Sequence, residues 1–164
     1  FLTDTQAVQP TPNPKYNPHA AKVSTKKPAK VGEWTHSKDA VLTSTSEGLR
    51  VTSIGGDPWI SADISTGKNP GPFVVKLRLK TTMRGQALLY YKTKAKDVFS
   101  KDKTVPFTLP KDDQFHDCSL TIDVSKLAAM RLDPSAGKGE TLITELSLHA
   151  EGGKEVKRWL PPSH

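Results

Sequence analysis

The chain has 164 residues, 35% hydrophobic and 25% charged, with a formal net charge of +7 at neutral pH. That is enough for one modest core and a tail, and no window approaches the run of about 18 apolar residues a membrane span needs. A single cysteine, Cys118, excludes an internal disulfide and a multi-cysteine zinc site.

The charge is unevenly placed. Residues 1–32 carry Lys15, Lys22, Lys26, Lys27 and Lys30 against Asp4 alone, so the basicity is mostly a property of the tail. A nucleic-acid module gathers Lys and Arg on a folded face with interleaved aromatics. Here the signs are mixed, as on a solvated surface, so neither nucleic acid nor a membrane is expected as a partner. The chain opens Phe1-Leu2-Thr3-Asp4, without an initiator Met or a visible signal peptide. It therefore reads as a piece of a longer protein.

Residues 1–33 read as a linker. Pro10, Pro12, Pro14, Pro18 and Pro28 remove backbone donors and fix φ, so neither helix nor sheet runs through. The stretch TPNPKYNPHA reads as an extended strap that lies across a neighbouring domain through Tyr16.

From Trp34 onward short segments alternate at β spacing. Ala40 to Thr43 is the first predicted strand, and Leu49 to Ile54 the next, ending at Gly55-Gly56. Phe73 to Lys80 is the clearest, with Phe73, Val75, Leu77 and Leu79 on one face and Lys76, Arg78 and Lys80 on the other. Gln86 to Thr93 is apolar on both faces and reads as a central strand. Thr104 to Leu109, Phe115 to Ile122 and Leu142 to His149 continue the pattern. Val124 to Met130 allows one short helical turn at most. This pattern predicts an all-β fold, an antiparallel sandwich or jelly roll over 34–150, with 151–164 as a C-terminal tail.

Two turns share a signature: Asp57-Pro58 in GGDPWI and Asp133-Pro134 in MRLDP. An Asp before Pro is pushed out of the helical region, and its side chain bonds nearby backbone donors, so each marks a chain reversal at a strand end. The ordered segments GLRVTS, GGDPWI, VVKLRLKT, ALLYYKT, VPFTL, FHDCSLTI, MRLDP and TLITELSLHA resemble the galactose-binding-like β-sandwich modules appended to bacterial sulfatases and glycoside hydrolases. The opening FLTDTQAVQPTPNPKYNP resembles the last residues of sulfatases of the alkaline-phosphatase superfamily. The resemblance implies an accessory module behind a sulfatase-like catalytic domain, periplasmic or secreted in the parent protein. The sulfatase nucleophile motif Cys/Ser-x-Pro-x-Arg is absent, since Cys118 is followed by Ser119-Leu120-Thr121-Ile122.

Little else reads as chemistry. Cys118 and His116 fall on one face of a strand, where a small buried apolar residue and a structural histidine are the simpler reading. Asp112-Asp113 sits in a hydrophilic turn, and Glu140 and Glu145 have no evident second carboxylate. The five histidines form no i, i+4 pair, so no zinc or iron site is expected. No cofactor is expected; a structural calcium held by Asp39 or Glu145 is compatible with such sandwiches.

Carbohydrate recognition asks for an aromatic surface with hydrogen-bonding groups beside it. The candidates are Tyr90 and Tyr91, Trp59 and Arg131 beside the Asp-Pro turns, and Arg78 and Lys80, the last two suited to a sulfated or uronic polymer. Tyr91 fits the aromatic position of the resembled modules' motif and on that resemblance is preferred to Tyr90, and the strand Phe73–Lys80 is expected to lie beside theirs. Trp59 is read as mainly structural, braced at the sandwich rim by Asp57-Pro58, because Ile60, Ala62 and Ile64 make the better core stripe. Arg131 and Asp133 share a side, and Arg131 is expected to reach Asp57 across the two turns. The functional expectation is a non-catalytic accessory module with carbohydrate binding, its partners the parent catalytic domain and a polysaccharide. The alternatives are a structural domain packed on that catalytic body, and a jelly-roll glycosidase or lyase.

Overall fold

The computed structural model describes residues 29–135 and 137–161, so most of the expected strap lies outside it. Twelve strands run in order: β1 Ala29–Val31, β2 Trp34–His36, β3 Ala40–Ser44, β4 Leu49–Ser53, β5 Ile60–Asp63, β6 Phe73–Thr81, β7 Gln86–Lys92, β8 Thr104–Thr108, β9 His116–Ile122, β10 Ala129–Asp133, β11 Gly139–His149 and β12 Glu155–Leu160. The only helical element among the described residues is a single 3₁₀ turn at Glu151–Gly153. Among these residues no helix is long and apolar enough to cross a membrane.

The strands form two sheets. Sheet A runs β9-β6-β11-β4-β3, with β12 pairing the second half of β11, and sheet B runs β1-β2-β5-β10-β7-β8. Neighbours are antiparallel throughout. The chain is thus the all-β antiparallel sandwich that its alternating pattern predicts.

The period-2 pattern explains the core. On β6, Phe73, Val75, Leu77 and Leu79 are essentially fully buried while Lys76 points to solvent. They meet Ile60, Ala62, Met130, Leu132 and Leu89 of sheet B in one cluster. Burying each such side chain contributes about 1.5–3 kcal/mol relative to leaving it exposed. β11 departs from strict alternation: the register shifts between Ile143 and Glu145. The extra residue lets Ile143 and Leu146, three apart, both face the core.

Three expectations are corrected. The sandwich does not stop at residue 150, because β12 completes sheet A and buries Trp159 against Trp34 of sheet B. Residues 29–31, within the expected linker, already form a strand paired to β2. Residues 124–130 form no helical turn; Leu127 is buried in the core and β10 begins at Ala129.

Candidate functional site

The site is assembled by the loop between β4 and β5. The Ser37 hydroxyl donates to the Asp57 carbonyl at 2.9 Å and accepts the Trp59 N–H at 3.2 Å. Asp39 Oδ2 accepts the Asp57 N–H at 2.9 Å, and the Asp39 carbonyl accepts the Ile54 N–H at 2.8 Å. Gly55 is needed here, because a Cβ at that position would collide with the Asp39 carboxylate. Pro58 is buried, so the turn is clamped on both sides. The sequence reading missed Ser37 and considered Asp39 only for calcium; a backbone anchor leaves no spacing signal. With Asp39 spent on this loop and Glu145 opposite Arg78 on the bulge, the two calcium candidates lie apart, in loop and sheet A. The described residues hold no cluster of three or more His, Cys, Asp or Glu suited to a metal.

The loop delivers Trp59 and Asp57 to the outer face of sheet B. There Ser61 on β5, Arg131 on β10 and Tyr90 on β7 lie in register. Met130 and Leu132 fill the core, so Arg131 between them projects outward. Its guanidinium carbon stands 5.0 Å from the Trp59 ring centroid and 4.8 Å from that of Tyr90. Nε and Nη2 donate to the two carboxylate oxygens of Asp133, both at 2.7 Å. Nη2 also stands 3.7 Å from Asp57 Oδ1, the link expected from the parallel turn contexts.

A bidentate, charge-assisted pair whose guanidinium also lies within cation–π range of two rings is a rigid unit. The Arg131 and Asp133 side chains keep only 20% and 15% of their exposure, whereas Asp57 keeps 71%. Burial disfavours the Arg131 cation, but the hydrogen bonds and charge of Asp133 more than offset this and hold its pKa above the ordinary value. Burial pushes the Asp133 carboxyl up, and Arg131 pulls it back only in part. Phe99 packs edge-on against Tyr90 with centroids 6.5 Å apart, and Lys92 lies 5.0 Å from the Phe99 ring, so Tyr90 is buried. A groove runs beside this stack between the two Asp-Pro turns, lined by Asp57, Pro58, Gln86, Leu88, Asp133 and Pro134. Gln86, Leu88 and Phe99 had no motif to announce them.

The predicted site residues divide into three groups. Trp59, Arg131 and Tyr90 come together on sheet B. Tyr91 does not join them: it lies opposite Met130 on the inner face and packs on the core. The phase of β7 thus turns Tyr90, and not Tyr91, toward the Arg131 face. Arg78 and Lys80 stand on sheet A, not beside β7, because the chain crosses to the other sheet between β6 and β7. Arg78 pairs with Asp117 at 3.1 Å, and the two cations lie 5.2 and 5.0 Å from the Phe115 ring.

The other reactive groups are occupied. Burial, then the charge of Asp117, pushes the Cys118 thiol up. His116 Nε2 contacts Asp112 at 3.0 Å and holds that carboxyl below the usual range. Ser147 and His149 are 2.9 Å apart, but both are buried and the other ring nitrogen faces the Gly153 carbonyl at 3.3 Å. That pair has no route to a substrate.

No family model matches the chain, and no curated protein matches it significantly. Solved structures do match in fold. A family 29 carbohydrate-binding module with a lysine-to-alanine substitution aligns with a TM-score of 0.56 at 13% identity, over 73% of this chain and 83% of that one. An arginine-to-alanine variant gives 0.56 at 14%, over 77% and 89%. A further lysine variant, complexed with cellulohexaose, gives 0.55 at 12%, over 75% and 84%. At these identities the likeness is one of fold: the chain shares the antiparallel β-sandwich of these modules.

Proposed function

We propose that the chain is a non-catalytic carbohydrate-binding module whose ligand lies in the groove between the two Asp-Pro turns. One observation carries the reading: an exposed carboxylate (Asp57), an exposed amide (Gln86) and an apolar floor (Leu88 with two prolines) converge beside the half-buried Trp59. Sugar hydroxyls donate to carboxylates and exchange hydrogen bonds with amides, while apolar sugar faces rest on apolar side chains. Rigid strands and a locked arginine hold these groups in place before any ligand arrives, which reduces the ordering cost of binding. The fold neighbours support the reading. One of those neighbours, a family 29 module, is complexed with cellulohexaose.

A glycosidase pair fits poorly. Both Asp133 oxygens are engaged by Arg131, so Asp133 is not free to act as acid, base or nucleophile. The structural alternative has its own observation, since the Trp59–Arg131–Tyr90 stack also braces the sheet. Affinity electrophoresis against a panel of polysaccharides separates the two. The binding reading expects retardation that Gln86→Ala and Asp57→Ala weaken with the fold intact; no retardation by any polymer leaves the structural role. The expected accessory place behind a sulfatase-like catalytic domain is tested by the upstream sequence of the parent, where a Cys/Ser-x-Pro-x-Arg motif is expected.

A further inference from the structure

We propose that the groove between the Asp-Pro turns is charge-selective: it takes uncharged sugars and rejects sulfated and carboxylated ones, with Asp57 as the residue that sets the selectivity. This rests on the glycan-binding reading above. The groove is lined by two carboxylates, Asp57 and Asp133, and by no Lys or Arg. Arg131 stands behind them and neutralises one, so the site keeps an excess negative charge.

Arg131 is also the wrong kind of cation for an anionic ligand. Guanidinium recognises sulfate or carboxylate with a free edge bearing two parallel N–H donors. Here the Nε/Nη2 edge is spent on Asp133, Asp57 Oδ1 stands 3.7 Å from Nη2, which also belongs to the second edge, and the guanidinium carbon lies 5.0 and 4.8 Å from the Trp59 and Tyr90 ring centroids. The exposed group in the groove is instead Asp57, whose carboxylate Oδ1 touches Arg131 only at 3.7 Å. A carboxylate accepts hydrogen bonds and donates none, so it welcomes a hydroxyl and repels a sulfate or uronate brought to the same distance. The cations that suited an anionic polymer, Arg78 and Lys80, lie on the other sheet over Phe115. The polymer they favoured therefore has no cationic counterpart in this groove.

The test uses the full chain and matched pairs of oligosaccharides: uncharged β-glucan, mannan and galactan hexamers, and the sulfated or oxidised hexamer of each backbone. Affinities are measured by titration calorimetry at physiological ionic strength, where attraction to the Lys-rich tail is screened. An uncharged hexamer is expected to bind about tenfold more tightly than its sulfated partner. Asp57→Asn is expected to close most of that gap by admitting the sulfated form, whereas Arg78→Ala leaves the gap as it was. Equal or tighter binding of the sulfated partner, with a ratio unmoved by Asp57→Asn, overturns the selectivity while the glycan-binding reading stands. Failure of every hexamer to bind overturns that reading, and the selectivity with it.

Discussion

Trp34 of sheet B and Trp159 of sheet A pack ring to ring, with centroids 5.5 Å apart and planes tilted by 48°. Each is at least nine-tenths buried, and Lys157 reaches Glu33 at 2.9 Å along the same seam. The last strand thus ties the end of sheet A to the first strands of sheet B. The exposed ion pair contributes little; the rings carry the contact.

Trp159→Ala is therefore expected to destabilise the domain by about 3–5 kcal/mol, as for other large-to-small changes in a core. Among the described residues, the Trp159 indole N–H is buried with no hydrogen-bond partner. A buried unpaired donor costs about 1–3 kcal/mol, so Trp159→Phe removes a penalty along with some area and is expected to cost far less than the alanine change. Urea unfolding of the three proteins measures both differences. Equal losses for Ala and Phe would show that the ring is not what holds the seam.

Arg131→Lys is the second test. A lysine keeps the charge but cannot make the two-pronged bond to Asp133 or offer a planar guanidinium to the Trp59 and Tyr90 rings. A loss of about 1–3 kcal/mol is expected, from weaker hydrogen bonding to the half-enclosed Asp133 and from the lost stacking. Near-wild-type stability of the lysine variant would mean that charge alone suffices there.

The Asp133 carboxyl gives a pH signature. Burial raises its folded-state pKa above the unfolded value, with Arg131 opposing. The folded state then holds its proton more readily than the unfolded state. Stability is highest with the group protonated and falls as pH rises from the ordinary carboxylate value through the raised one. Asp102, Asp112 and Glu155 are shifted the other way by hydrogen bonds to Ser100, His116 and Arg158, so their contributions are lost as pH falls. The signature therefore appears in the difference between the wild type and Asp133→Asn, followed by denaturant titration from about pH 3 to 7. That difference is expected to shift toward the variant as pH rises. A constant difference across the range sinks the assignment.

The alternating strands were legible because period 2 is written directly into residues such as Phe73, Val75, Leu77 and Leu79. The two Asp-Pro turns and the link of Arg131 to Asp57 were legible from local turn chemistry. What alternation cannot report is which sheet a strand joins. The crossing between β6 and β7 separated Arg78 and Lys80 from Tyr90, although their strands are consecutive in sequence. The phase of β7 was hidden because Tyr90 and Tyr91 are equally apolar, and only the placement of Leu89 and Met130 in the core decides between them. The last strand was hidden for a third reason: the burial of Trp159 depends on a partner at the opposite end of the chain.

Cys118 offers a check that is independent of any ligand. Its thiol is half-buried on the inward face of β9, and burial with the Asp117 charge raises its pKa. Thiolate is the reactive form, so native protein at neutral pH is expected to react with a disulfide reagent many-fold more slowly than the urea-unfolded chain. Fast native labelling, with far-UV circular dichroism still showing the β spectrum, would contradict this placement.

The two tyrosines supply the sharpest separation of binding from stability. Tyr91 packs on the core, so Tyr91→Ala is expected to cost about 3 kcal/mol or more of stability. Where that variant remains folded, its affinity is expected to stay within about twofold, because no Tyr91 atom lines the groove. Gln86 is exposed at the groove, so Gln86→Ala is expected to leave the unfolding midpoint in place and to weaken binding by about 1 kcal/mol, the value of one hydrogen bond. Arg78→Ala, on the far sheet, is expected to leave affinity unchanged and to cost a few tenths of a kcal/mol in stability through its exposed pair with Asp117. Thermal melts and calorimetric titrations on the same preparations place each variant on both axes. Loss of affinity in Arg78→Ala, with Gln86→Ala silent, would move the binding face to sheet A and the Phe115 cations.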